Sequence, residues 1–249
     1  MPDVDQLIDG PGFVLIPNLM TASEAAEARS RVLEIAGSPS ATELGKPRAG
    51  QQHVRGLLAH AEIFERMVQH PALIEIAEAM LGDDMTLGAY SARILHPGAT
   101  EMGVHIDYPY WAMRGPFTLR PPLMVQVIWM QQDFTEDNGA TLVAPRSQLH
   151  CSRPNREQFV REAIKITGAA GDAIMSHGLL WHDTSQNRTA EPRVAVLINY
   201  ALKVIRPLDS EIAKVPLVVM ERATPKLRQL LGLEFASALA RDLSRDGLY

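Results

Sequence analysis

Residues 85–95, MTLGAYSARIL (Met85–Leu95), mark the point where this chain changes its periodicity. Upstream, apolar residues recur at helical spacing. From Met85 onward they come in short runs separated by Pro, Gly and Asn/Asp turns. The runs are Met85–Leu95, Gly103–Tyr108, Leu123–Met130, Ala140–Ala144, Ala173–Ser176 and Val194–Leu202, and Asp137-Asn138-Gly139 is a strong turn signal between two of them. Many short strands with turn punctuation predict a sandwich or barrel.

Working outward, a turn at Asp9-Gly10-Pro11-Gly12 precedes a short strand over 13–17. Thr21-Ala-Ser-Glu24 is a capping box opening a helix to about Ala36, with Gly37 as its expected left-handed cap. Residues 37–52, rich in Ser, Pro, Gly and Lys, read as a mobile loop. A helical region over 61–81 restarts at Pro71 and stops at Gly82. Beyond Pro207 a helix is expected from Pro225 into Leu227–Leu233, and another near Ala236–Leu243. Residues 1–249 thus read as one mainly β domain with flanking α-helices: helices over 21–81, a β-core over 85–202 and a helical tail over 207–249.

The chain has 249 residues, 46% hydrophobic, enough for one sizeable core. Its formal net charge of −5 and the lack of any dense Lys/Arg run disfavour nucleic acid or an anionic membrane as partner. One cysteine, Cys151, excludes an intramolecular disulfide and suits a reducing cytoplasm. Residues 1–10 carry three Asp and no basic residue, unlike a signal peptide, and no apolar run approaches the roughly 20 residues of a membrane span. These features predict a soluble cytoplasmic protein. The sequence is silent on oligomeric state.

Chemistry is concentrated at His105-Ile-Asp107. An imidazole and a carboxylate at i and i+2 share one side of an extended strand. A second imidazole, His177 or His182 from a distant strand, would complete two His and one carboxylate, the ligand set of non-haem Fe(II) oxygenases. His53, His60, His70 and His96 read as structural or surface residues.

Taken together, three motifs resemble the phytanoyl-CoA dioxygenase-like family of Fe(II)/2-oxoglutarate oxygenases. They are His105-x-Asp107, Asp137-Asn-Gly-Ala-Thr141 followed by Pro145, and Gly171-Asp172…His177-x4-His182-x-Thr184…Asn187-x5-Arg193. The resemblance spans about Met85 to Leu202. It implies a double-stranded β-helix (jelly-roll, cupin-like) core with helices packed outside, in agreement with the order of helices and strands. In this family the distal ligand is followed two positions later by a hydroxyl residue and eleven later by an arginine. His182, Thr184 and Arg193 meet both spacings, so the resemblance selects His182 over His177.

The resemblance further implies Fe(II) held by His105, Asp107 and His182, with 2-oxoglutarate and O2 as co-substrates. The distal carboxylate of 2-oxoglutarate would pair with Arg193, whose planar fork stays charged, aided by Thr184 or Thr141. Ser91 would lie near the co-substrate and Trp111 would wall the iron pocket. The implied reaction converts 2-oxoglutarate to succinate and CO2 while hydroxylating a small-molecule substrate. Related halogenases replace the carboxylate ligand with a small residue, so the retained Asp107 favours hydroxylation. The apolar insert over 108–122, the loop over 37–52 and the C-terminal segment are the expected sources of specificity, with Arg114 and Arg120 as solvated surface groups. An apolar or cyclic substrate and a role in secondary-metabolite tailoring are expected. One departure stands out: family members often read Pro-Gly-Ser-His where this chain has Pro145-Arg146-Ser147-Gln148, which questions the local turn geometry. The competing readings are a non-catalytic jelly-roll binding protein and a metal-dependent hydrolase or isomerase using Zn or Mn.

Overall fold

The computed structural model describes residues 2–38, 49–208, 212 and 214–233. Most of the expected loop over 37–52, and the helix expected near 236–243, lie outside these residues.

Among the described residues, nine strands form two antiparallel sheets. The strands are β1 (Phe13–Ile16), β2 (Gln51–Arg55), β3 (Thr86–Leu95), β4 (Met124–Met130), β5 (Thr141–Val143), β6 (Ile164–Ile166), β7 (Ala173–His177), β8 (His182–Thr184) and β9 (Arg193–Ala201). The larger sheet has the order β1-β7-β4-β9-β3-β2, the smaller β6-β5-β8. This is the jelly-roll arrangement expected, with two sheets facing each other. Among the described residues the flanking helices are α1 (Pro2–Ile8), α2 (Ala22–Gly37), α3 (Glu62–Val68), α4 (Pro71–Leu81), α5 (Arg156–Glu162), α6 (Leu217–Arg222) and α7 (Pro225–Leu230). Among the described residues no helix is long and apolar enough to cross a membrane.

Side-chain alternation explains the layers. Along β4, Val125, Val127 and Trp129 join the main core beneath the helices, whereas Met124, Gln126 and Ile128 turn to the opposite side. On β9, Val194, Val196, Ile198 and Tyr200 face the helices, and Arg193, Leu197 and Asn199 face inward. On β3, a bulge between Leu87 and Ala89 resets the alternation, so that Tyr90, Ala92 and Ile94 face the helices and Ala89, Ser91 and Arg93 face inward. Each fully buried Val, Leu or Ile contributes roughly 1.5–3 kcal/mol. The phenols fasten the helix layer: Tyr90 donates to Phe64 O and Tyr200 to Val68 O, each at 2.8 Å.

Several local expectations need correction. Residues 103–108 are not a strand; they touch the smaller sheet through one bridge, His105 to His182. Gly37 is the last helical residue, not a left-handed cap, and Ser38 closes the helix with φ −74°. The segment 21–81 is not purely helical, because β2 lies within it and pairs with β3. The capping box does form, with Glu24 N donating to Thr21 Oγ1 and Thr21 N to the Glu24 carboxylate. The chain also breaks at Pro71 as read, since proline at the first position starts α4 afresh.

At the departure from the family pattern, Arg146 adopts φ 68°, a left-handed conformation that glycine takes without strain. A left-handed turn therefore forms here with arginine at the position where the family pattern has glycine. Gln148, standing in place of histidine, is fully buried and donates to Ile8 O and Gly10 O. Ser147 Oγ accepts from Trp181 N at 2.8 Å.

Candidate active site

Between the two sheets lies a cleft of roughly 890 Å³, measured to include its open mouth. His105, Asp107 and His182 converge within it. One ligand atom from each lies within 4.8 Å of the other two. His182 comes from β8. His105 is fixed opposite it by two backbone hydrogen bonds, and Asp107 N donates to Gly178 O at 3.0 Å. The i, i+2 spacing keeps both side chains on one side although no regular strand forms.

Hydrogen bonds prepare these groups for a cation. His105 Nδ1 lies 3.0 Å from Gly103 O, and His182 Nδ1 lies 2.9 Å from Leu180 O. A carbonyl accepts only from N–H, so each Nδ1 carries a proton, and Nε2 is the ring atom left to meet a metal. Burial, reinforced by His182, pushes the His105 pKa down to about 3, which keeps the ring neutral. Asp107 is buried, and desolvation raises its pKa against the opposing pull of His182. Gln126 Nε2 donates to Asp107 Oδ1 at 3.1 Å, while Asp107 Oδ2 is buried without a partner. Two imidazole Nε2 atoms and an unpaired carboxylate oxygen form a donor set that suits a divalent metal.

Deeper in the cleft, Arg193 is 2% exposed. Its guanidinium stacks over Phe134 at 4.5 Å and donates from Nη2 to Gly139 O. Gly139 has φ 87°, a conformation that L side chains rarely adopt, and a Cβ there would stand 2.6 Å from Leu95 Cδ1, which would have to shift. Among the described residues no carboxylate pairs with Arg193. Burial, then the Arg93 charge, pulls its pKa down to about 9. Arg193 Nε and the Thr184 hydroxyl are both buried without partners. Thr184 pairs with Thr141 across β5 and β8, and both line the cleft with Arg193. A buried cation and an unpartnered hydroxyl beside a metal-type donor set fit a bound carboxylate.

The cleft gathers all eight candidate residues: His105, Asp107, His182, Arg193, Thr184, Thr141, Ser91 and Trp111. Trp111 is 46% exposed at the mouth. The insert is divided, because Tyr110 and Phe117 pack in a buried cluster while Trp111 and Met113 face outward. His177 stays out of the cleft: its Nδ1 accepts from Leu179 N at 3.0 Å. His70 packs edge-on against Trp129 and His96 bonds Gln52, as structural histidines. Arg120 pairs at the surface with Asp9. His53 does not fit its structural-or-surface reading, for it lines the cleft and hydrogen-bonds Ser91 Oγ at 2.7 Å. Sequence reasoning also passed over Gln51, Arg93, Gln126 and Asp183 as lining residues. Gln126 left a usable signal, a lone polar residue inside the apolar run MVQVIWM.

Residues 8–195 match the model of the family described as Phytanoyl-CoA dioxygenase (PhyH). The chain belongs to this family. Within the wider set of relatives, it is 28% identical over 241 residues to the dioxygenase af480 of Aspergillus fumigatus, covering 94% of this chain and 77% of that protein. Among solved structures it resembles the epimerase SnoN in complex with Fe3+, alpha ketoglutarate and nogalamycin RO. The TM-score is 0.67 at 18% identity, over 83% of this chain and 85% of that one. It also resembles the alpha ketoglutarate dependent carbocyclase SnoK from nogalamycin biosynthesis, with a TM-score of 0.66 at 19% identity, over 86% and 90% of the two chains. At these identities the structural likeness speaks for the fold, and PhyH membership rests on the family match.

Proposed function

We propose that the chain is an Fe(II)- and 2-oxoglutarate-dependent dioxygenase. It hydroxylates an unactivated C–H bond of a small apolar molecule in natural-product tailoring and releases succinate and CO2. The observation that carries this reading is the pairing, in one cleft, of the His105–Asp107–His182 donor set with the buried, anion-free Arg193 and the unpartnered Thr184 hydroxyl. A hydrolytic metal site would leave Arg193 and Thr184 without work.

His105 Nε2, His182 Nε2 and Asp107 would hold iron, with Gln126 fixing the carboxylate. Arg193 and Thr184 would hold the distal carboxylate of 2-oxoglutarate, flanked by Thr141 and Ser91. When bound, iron and 2-oxoglutarate supply oxygen activation and the electrons released by decarboxylation. Trp111 at the mouth would shield the bound substrate from water. Relatives named as dioxygenases support the oxygenase class. The epimerase SnoN and the carbocyclase SnoK of like fold come from nogalamycin biosynthesis, which supports a natural-product role.

The test is succinate formation from 2-oxoglutarate with Fe(II) and O2 across a panel of apolar natural products, with Asp107→Ala as control. Substrate-stimulated succinate and a product heavier by one oxygen are expected. An unchanged product mass would point to epimerisation, and loss of two hydrogens to ring closure. A protein that neither binds 2-oxoglutarate nor forms succinate would sink the reading.

A further inference from the structure

Among the described residues, Arg93 is the one cleft arginine to which the proposed chemistry assigns no role. It projects from β3 beside its cross-strand partner His53 on β2, and both line the cleft. Its Nη1 meets Gln51 Oε1 at 3.2 Å and Met102 Sδ at 3.6 Å, both uncharged. Among the described residues no carboxylate lies within ion-pair distance of it. His53 adds no charge, since burial, then Arg93 and Arg55, hold its pKa down at about 3. Asp183, the other carboxylate of the lining, is already engaged by the backbone N–H groups of Met102, Gly103 and Thr184. A guanidinium offers five donors, and leaving them unfilled in a desolvated site is unfavourable.

Charge matching points the same way. A divalent metal with Asp107, and 2-oxoglutarate with Arg193, are together neutral, so within the lining Arg93 is offset only by Asp183, whose carboxylate is held by backbone N–H groups instead. The guanidinium also reaches toward Met102, which is half exposed at the mouth with Trp111 and Leu208. An apolar rim with a cation just inside fits an apolar molecule that enters anionic end first.

We propose that Arg93, with Gln51 beside it, is a subsite for a carboxylate of the substrate, so that the substrate is an apolar carboxylic acid. This rests on the oxygenase reading of the cleft, which assigns 2-oxoglutarate to Arg193.

The test uses protein loaded anaerobically with Fe(II) and saturating 2-oxoglutarate, titrated calorimetrically with matched pairs: 2-naphthoate and 2-naphthamide, octanoate and octanamide. The parent should bind at least one acid roughly tenfold more tightly than its amide, the scale of one charge-assisted contact. Arg93→Gln should erase that preference while leaving amide and 2-oxoglutarate affinities within about twofold, and Arg93→Lys should keep part of it. Equal binding of acids and amides by the parent would overturn the subsite. So would an Arg93→Gln protein that loses 2-oxoglutarate by the same factor as the acid, because Arg93 would then serve the co-substrate. A parent that binds no 2-oxoglutarate would instead sink the oxygenase reading beneath it.

Discussion

His105 and His182 exchange both of their backbone hydrogen bonds, His105 N to His182 O at 3.0 Å and His182 N to His105 O at 3.1 Å. Their ring centroids stand 4.2 Å apart. The two imidazoles are thus set by one antiparallel rung, although 77 positions separate them in the sequence.

The first prediction separates the two histidines of the distal motif. His182→Ala should remove stoichiometric Fe(II) or Co(II) binding, and His177→Gln should keep it. Metal content after desalting and the Co(II) visible spectrum check this. Retained stoichiometry in His182→Ala would reject His182 as a ligand.

His177 also predicts an acid-limb effect. Burial holds its pKa down at about 4, against the ordinary histidine value near 6.5. The unfolded chain therefore takes up a proton that the folded chain refuses. The contribution is full above pH ~6.5 and is lost as pH falls toward about 4, at up to roughly 1.4 kcal/mol per pH unit. His177→Gln should lose less stability than the parent between pH 7 and pH 5 in urea unfolding. Parallel losses in the two proteins would reject the assignment.

Arg193→Met should weaken 2-oxoglutarate binding by roughly 10- to 100-fold, the scale of a charged hydrogen bond, with metal stoichiometry unchanged. Thr184→Val should weaken it less, and should not lower the melting temperature of the ligand-free protein, because the hydroxyl it removes is buried without a partner. Calorimetry with 2-oxoglutarate and a thermal melt decide both.

Gln126→Leu removes the amide that holds Asp107 Oδ1. Losing such a tether should lower metal affinity roughly 10- to 100-fold while the fold persists. Unchanged Co(II) affinity would show that the tether does not position the carboxylate.

Arg146→Gly should stabilise the fold by about 1 kcal/mol by relieving the φ of 68°, less what the Arg146 contact to Asp9 O contributes. A lowered denaturation midpoint would show that the contact outweighs the strain.

The fold was largely legible because most strands have one apolar face toward the helices, so their runs stand out. β2 escaped because it is QQHVR, and a strand that lines a polar cleft at the sheet edge has no apolar alternation to read. Residues 103–108 misled in the opposite sense: their alternation suits a strand, but only one rung forms. In the site, spacing reached His182, Thr184 and Arg193 because they lie on one strand–turn–strand unit. Arg93, His53 and Gln126 join the cleft through long-range sheet pairing, which leaves no local spacing to detect.

That single rung between His105 and His182 has a consequence for descent. The stretch from Tyr108 to Pro122 hangs between the metal-type donors and β4 while contributing no rung to either sheet. Its outward-facing residues, Trp111 and Met113 among them, can change without breaking a ladder, while Tyr110 and Phe117 stay anchored in their buried cluster. A lineage can therefore exchange the molecule it admits while inheriting its reactive centre intact, as a tool keeps its handle and changes its bit.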